Sequence, residues 1–426
     1  GLGDVYKRQD SGRCEEGLER TRFESELGVH ELVLRIRPPP RILDDPRQDS
    51  LYWRNSAASP QPNDRMGTRR YSIITGSGSS VPSRRIPNMD FMGHQFFLDY
   101  GHPIDPAENS RVLAKFEEIT EISERRYVTD DLVASDIGAE AAERALGDAA
   151  LDAESLDYII VAHNFGDVRA DRLRLDFCPT LAARVKESLG IKNPSCVAYD
   201  LPFGCPGWLQ AVIQADYFLR SGDASRALII GAETLSRVSD PHDRDSMIYA
   251  DGAGAVVLEA VQGDEPMGVL SHATRSDTLE HARLLWMGPS YDPERSDDRL
   301  FLKMYGRRLY EYALQTVPGV VKDSLDRAEL TLSDVTKVLL HQANAKMDHA
   351  ILKRLFKLFG LEEIPEGIMP MTIAWLGNSS VATLPTLFDL MRRGDIEGQQ
   401  ISSGDLVVFA SVGAGMNINS LVYRYP

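Results

Sequence analysis

The chain is poor in cysteine. Among 426 residues there are four, Cys14, Cys178, Cys196 and Cys205. None forms a CxxC pair or a zinc-like spacing with histidine, so neither a disulfide framework nor a zinc module is expected, and the expected compartment is the reducing cytoplasm. Long apolar runs are missing too. No stretch approaches the ~20 residues that cross a bilayer, and no basic segment followed by an apolar one marks a secretory leader. Positive charge is scarce: the formal net charge is -16. Such a surface argues against nucleic acid and anionic membranes as general partners.

The first 65 residues lack what a fold needs. They are rich in arginine with a single lysine, Lys7, contain Pro38-Pro39-Pro40, and show no sustained period of 2 or 3.6. Asp4 to Gln9 reads as a translated transposase mosaic-end adapter. Residues 1–65 are therefore expected to be translated non-coding DNA or a disordered leader, with Met66 as the start of the folded protein.

After Met66 the chain alternates between the two regular periods. Tyr71-Ser-Ile-Ile-Thr-Gly76 has strand character. Ser135 to Leu151 carries a helical pattern with Ser135 as a possible N-cap. Leu156 to Ala162 and Arg226 to Ala232 read as buried strands, and Ser195 to Leu201 is a strand candidate. Leu173 to Leu189 and Pro206 to Arg220 read as helices, the second with Pro206 in its first turn. The order recurs further on. Helical patterns cover Leu309–Leu325, Met347–Phe359 and Val381–Arg393; strands cover Val335–Leu340 and Asp405–Ser411. Two weak matches suggest a repeat: Asp157–Gly166 parallels Thr336–Ala345 as strand, His and nearby Asn, and Arg220–Asp223 parallels Arg393–Asp395, each ahead of a strand. An α/β class with buried sheets follows, with two related halves, residues 66–262 and 263–426. Cys205 and Asn378 then occupy related helix starts.

Three positions carry chemistry. Cys205, in Asp200-Leu-Pro-Phe-Gly-Cys-Pro-Gly-Trp208, follows a strand and precedes a helix. The helix N-terminus is expected to lower the thiol's pKa and so supply thiolate; the alternative is an inert buried cysteine. His341, directly after an apolar strand, fits a general base, an electrophile or a packed strand end. Asn378, ahead of a helix, fits a functional group, an N-cap or a turn residue.

Taken together, Cys205-Pro-Gly-Trp208, His341-Gln-Ala-Asn344 and Gly377-Asn-Ser-Ser380 resemble, in order and spacing, the motifs of the 3-oxoacyl-[acyl-carrier-protein] synthase III family. Asp251-Gly-Ala-Gly-Ala-Val256 and Gly413-Ala-Gly415 match two further family segments, and the resemblance spans residues 66–426. It implies a thiolase-like five-layer αβαβα fold of two pseudo-equivalent halves. It implies a condensing acyltransferase in which Cys205 takes an acyl group from acyl-CoA or acyl-acyl carrier protein and joins it to malonyl-acyl carrier protein with loss of carbon dioxide. His341 and Asn378 would hydrogen-bond the malonyl thioester carbonyl, and the backbone N–H groups of Cys205 and Ala414 would hold the oxyanion. Asn344, Lys346, Cys178 and Gly413 would line the substrate path. No metal or cofactor is implied, and the family is generally a homodimer.

Departures are visible. Lys115 to Arg125 lacks the family's CoA-gripping Trp, and Glu121 replaces a Gly. Lys346 replaces an Arg, keeping charge without bidentate geometry. The family's Phe-Pro-Ser segment at the subunit interface appears as Cys178-Pro-Thr180, which predicts room for a primer longer than acetyl. His163 and Asn164 fit site-lining positions, as repeat partners of the His341 strand end, but read first as structural; His242 reads as structural too, and Gly252 and Gly254 as turn and packing residues. Acyl transfer through Cys205 without condensation and a non-catalytic partner subunit are the rival readings. A biosynthetic thiolase would need a second cysteine in the C-terminal half, and none follows Cys205.

Overall fold

The computed structural model describes residues 69–426; the expected leader and its boundary at Met66 lie outside them. Apolar runs such as Ile159–Ala162 and Leu228–Gly231 need cover on both faces, because successive side chains alternate across a sheet. The fold provides it. Ile160, Ala162 and Ile229 point to one side, into a core with Trp208 and Phe388. Ile159, Val161, Leu228 and Ile230 point to the other, into a core with Ile137 and Val185. Each Ile, Leu or Val among them contributes about 1.5–3 kcal/mol through burial.

The first sheet has five strands in the order Arg69–Ser80, Asp251–Gly263, Arg226–Thr234, Tyr158–His163, Val197–Pro202. The first two pairings are antiparallel and the last two parallel. The second sheet runs Gly268–Ser276, Asn417–Arg424, Leu406–Gly413, Lys337–Leu340, again with two antiparallel pairings and then a parallel one. Strand order and direction agree between the sheets up to the fifth strand. There the second sheet has an irregular segment instead, tied in by Val338 N–H donating to Ile368 O at 2.8 Å.

Between the sheets lie helices Gly207–Ser221 and Thr383–Arg392, which share one core with the inner faces of both. Helices Ala134–Asp148 and Leu181–Ser188 cover the outside of the first sheet. Helices Gly306–Arg327 and Ala345–Leu358 cover the outside of the second. The result is the five-layer αβαβα arrangement. No helix among the described residues is long and apolar enough to cross a membrane.

Two local expectations are corrected. The helix read over Leu173–Leu189 starts only at Leu181. Pro179 excludes the helical conformation from the residue before it, and Thr180 Oγ1 accepts Ala183 N–H at 3.2 Å as the N-cap. Ser135 is not the cap of its helix. Asp136 closes that end by accepting Val133 N–H at 2.9 Å, while Ser135 Oγ donates to Asp167 at 2.6 Å.

Candidate active site

Parallel strands that end on the same side leave their carboxyl ends as a natural crevice. In the first sheet those ends carry His163 and Glu233. In the second, His341 follows its strand directly, and Gly413 ends the neighbouring one. The two central helices also begin here: Cys205 lies two residues before Gly207, and Asn378 lies in the turn leading to Thr383.

The backbone around Cys205 is held between the two halves. Gly204 has φ +71, and a Cβ on it would sit 2.8 Å from Ala414 N. A Cβ on Gly413 would sit 2.5 Å from Cys205 N. Only glycine allows this approach, and it sets the Cys205 and Ala414 amides side by side.

Cys205 is half-buried. The expectation of a lowered thiol pKa is reversed: burial pushes it up to about 11, and the Glu233 carboxylate adds to the rise. A hydrogen bond from Ser380 Oγ to Sγ, 3.4 Å, works in the opposite direction. Desolvation wins because an uncompensated thiolate in a dry site is costlier than a helix end can repay.

His341 is 5% exposed. Its backbone N–H donates to Ala410 O at 2.8 Å, and its Nδ1 has no partner among the described residues. Burial lowers its pKa to about 4. The ring is therefore neutral at pH 7 and can donate one hydrogen bond without carrying charge. Asn378 is clamped by its backbone, N–H to Ile248 O at 3.0 Å and O from Ala250 N–H at 2.8 Å. Its Oδ1 accepts Ser380 N–H at 2.8 Å, which leaves the side-chain NH2 as the group available to a ligand.

The remaining sequence-predicted residues divide. Asn344 caps the helix after His341, its Oδ1 accepting Met347 N–H at 3.1 Å. Lys346 is half-exposed and lies 3.7 Å from Glu118. Cys178 is exposed, and the neighbouring Phe177 ring lies 6.0 Å from that of His163. His242 is a loop residue: its Nδ1 lies 2.9 Å from Gln95 O, and the flanking Asp240 and Asp243 hold the buried Lys303.

Sequence reasoning read Asn164 first as structural and passed over Glu233, its partner in a buried chain beside Cys205. Glu233, fully buried, accepts both the backbone N–H of Asn164 at 3.1 Å and its Nδ2 at 2.6 Å. Asn164 Nδ2 also donates to Ser380 Oγ at 3.0 Å. Burial raises the Glu233 pKa to about 7. One signal was legible: an acid closing an otherwise apolar strand, Arg226-Ala-Leu-Ile-Ile-Gly-Ala-Glu-Thr234.

The family model for 3-oxoacyl-[acyl-carrier-protein] synthase III matches residues 199–278, and the model for that family's C-terminal part matches residues 325–425. The beta-ketoacyl-[acyl-carrier-protein] synthase III of Erythrobacter litoralis is 32% identical over 356 residues, 83% of this chain and 99% of that protein. The protein of the same name from Alkalilimnicola ehrlichii is 33% identical over 359 residues, 83% of this chain and 99% of its own. Among solved structures, the 3-oxoacyl-(acyl carrier protein) synthase III of Pseudomonas aeruginosa superposes with a TM-score of 0.68 at 26% identity, covering 84% of this chain and 98% of that one. The synthase III of Thermus thermophilus gives 0.66 at 28% identity, covering 83% and 99%. With the two related sheets, the paired glycines at Cys205 and the neutral His341, these likenesses mean that the chain belongs to the 3-oxoacyl-[acyl-carrier-protein] synthase III family.

Proposed function

We propose that this chain is a condensing acyltransferase that transfers an acyl group to Cys205 and extends it by two carbons from a malonyl-acyl carrier protein. Cys205 attacks the thioester carbonyl of acyl-CoA or acyl-acyl carrier protein, and the donor thiol leaves. The Cys205 and Ala414 amides receive the oxyanion. Malonyl thioester then loses carbon dioxide, and the electron pair of the broken C–C bond becomes an enolate. His341 and Asn378 donate hydrogen bonds to its oxygen; such donors are each worth roughly 3–4 kcal/mol where charge develops. The enolate carbon attacks the acyl carbonyl, the C–S bond breaks, and a 3-oxoacyl thioester departs from a regenerated Cys205.

The observation that supports this reading is that Asn378 Oδ1 is already occupied by Ser380 N–H, which leaves its NH2 to donate; the buried, neutral ring of His341 can donate likewise. Acyl transfer alone needs neither. Enolate stabilisation needs two donors that do not take the proton away.

In this reading residues 66–262 supply the nucleophile and residues 263–426 supply the two donors. Asn344, Lys346 and Gly413 line the path of the pantetheine arm or carrier. A homodimer is supported by the edge strand Val197–Pro202, which among the described residues pairs on one side only and is half-buried to exposed; such an edge is a template for a second copy. Cys178 lies close to that edge, since the helix after it begins with Leu181 and Ala182 N–H groups donating to Asp200 in the edge strand, each at 2.8 Å. A cysteine there in place of a bulkier residue favours a primer longer than acetyl. The reaction fits fatty-acid or specialised lipid synthesis in the cytoplasm.

Intact mass after incubation with a series of acyl-CoAs and acyl carrier proteins, beside Cys205→Ala, tests the proposal. The expected result is an adduct that requires Cys205 and is consumed by malonyl-acyl carrier protein to give a 3-oxoacyl product. An adduct that passes only to a thiol acceptor would overturn condensation. No adduct from any donor would overturn catalysis itself.

A further inference from the structure

We propose that Glu233 is a positioning residue for the Cys205 thiol, acting through Asn164 and Ser380 to aim the Ser380 hydroxyl hydrogen at Sγ. The inference rests on Cys205 being the nucleophile.

Asn164 Nδ2 has two hydrogens. One goes to Glu233 Oε2 at 2.6 Å and the other to Ser380 Oγ at 3.0 Å. The Asn164 backbone N–H goes to the same carboxylate oxygen at 3.1 Å. An ionised carboxylate only accepts, so it fixes which way the Asn164 amide faces; turned over, its oxygen would confront the carboxylate. Ser380 Oγ therefore receives a hydrogen bond, and its single O–H is left to donate. The acceptor is Cys205 Sγ at 3.4 Å. The Ser380 backbone cannot drift away, because it is held at φ +53 with its N–H on Asn378 Oδ1. A hydrogen bond to sulfur is worth more to thiolate than to thiol, and the burial that raises this thiol makes the help consequential.

The charge of Glu233 taken alone has the opposite effect. Its field on Cys205 raises the thiol pKa. Positioning and bare electrostatics thus predict opposite signs when the charge is removed. Protonation of Glu233 has a structural consequence as well. A protonated carboxyl can donate to the Asn164 oxygen, which lets the amide turn over and draws the Ser380 hydroxyl off the sulfur. The groups facing Glu233 are His163, Asn164, Asp251 and Cys205.

The test is the rate of Cys205 alkylation by iodoacetamide in the full-length protein, followed by mass, for wild type, E233Q, S380A and E233Q/S380A from below to above neutral pH. Alkylation needs no acyl donor, so it reads the thiol independently of substrate identity. Expected are a roughly tenfold slower rate in S380A, the weight of one hydrogen bond to a charged group, a similar loss in E233Q, and a double variant no slower than S380A. The wild-type profile should bend near pH 7, falling more steeply below it, and the bend should vanish in both single variants. Faster alkylation in E233Q, or strictly additive losses, would overturn the proposal. A wild-type Cys205 that resists alkylation would remove the nucleophile assignment itself. S380A deletes only one oxygen, so the prediction stands on that variant where E233Q does not fold.

Discussion

His163 and His341 stand at corresponding strand ends of the two sheets, yet one is bound and the other free. His163 Nδ1 accepts Gly166 N–H at 3.0 Å, so its proton sits on Nε2, 2.9 Å from Asp200. Asp200 in turn takes two amides of the next helix. Every polar atom of that ring is consumed in holding the first half together. Among the described residues His341 has no partner at Nδ1, and it packs in a site dry enough to keep it neutral. The residues after them diverge in the same manner. Asn164 reaches across to Ser380 and so toward the thiol. Gln342 turns inward, donating to Pro370 O at 2.9 Å and accepting Thr372 N–H at 2.8 Å and Ile373 N–H at 3.0 Å. That side chain supplies bonds where the second sheet has no fifth strand. In each half, then, one side chain of the pair is spent on holding the fold, and it is the opposite member in the two halves.

The sharpest way to break this comparison is to truncate each histidine. His341→Ala should lower the condensation rate by about 100- to 1,000-fold, with acyl loading of Cys205 nearly intact and little change in unfolding temperature. His163→Ala should do the reverse: a loss of about 2–4 kcal/mol of stability as Asp200 and Gly166 lose their partner, read by chemical denaturation. Equal stability losses in both variants would remove the contrast.

A smaller effect appears in the pH dependence. The folded pKa of His341, about 4, lies below the usual value near 6.5. The unfolded chain therefore binds the extra proton first, and stability falls as pH drops from about 6.5 toward 4. Buried carboxyls with raised values, Glu233 at about 7 and Asp251 at about 6, act in the opposite direction, losing stability as pH rises. Comparing wild type with His341→Asn isolates the histidine. The variant should lose about 2–3 kcal/mol less than wild type between pH 7 and pH 4. Identical slopes would mean that His341 is not held neutral by burial.

The smallest effect lies outside both sheets. Helix Asn109–Thr120 ends at Glu121 with φ 61, a left-handed position that favours glycine. Glu121→Gly should raise stability by about 1 kcal/mol, measured by the same denaturation, without altering either half of the histidine comparison.

Much of this was legible beforehand because it depends on near neighbours. Cys205, His341 and Asn378 could be picked out since each stands where an apolar period breaks beside a helix start, and their order resembled known motifs. The strands were legible because a sheet buried on both faces demands unbroken apolar runs. The late start of the helix at Leu181 was available from Pro179 but was outweighed by a helical pattern across it.

What the sequence determined by itself is the alternation of periods, the apolar faces and the positions of the glycines that only a tight approach requires. Tertiary structure decided which histidine stays free, whether the Cys205 thiol rises or falls, and that Glu233 is coupled to Cys205 at all. The link from Asn164 to Ser380 spans 216 residues, and no local pattern encodes it. Burial is likewise a property of the assembled layers. A helix start promises a lowered thiol pKa, but the desolvation that opposes it exists only once both sheets have closed over the site.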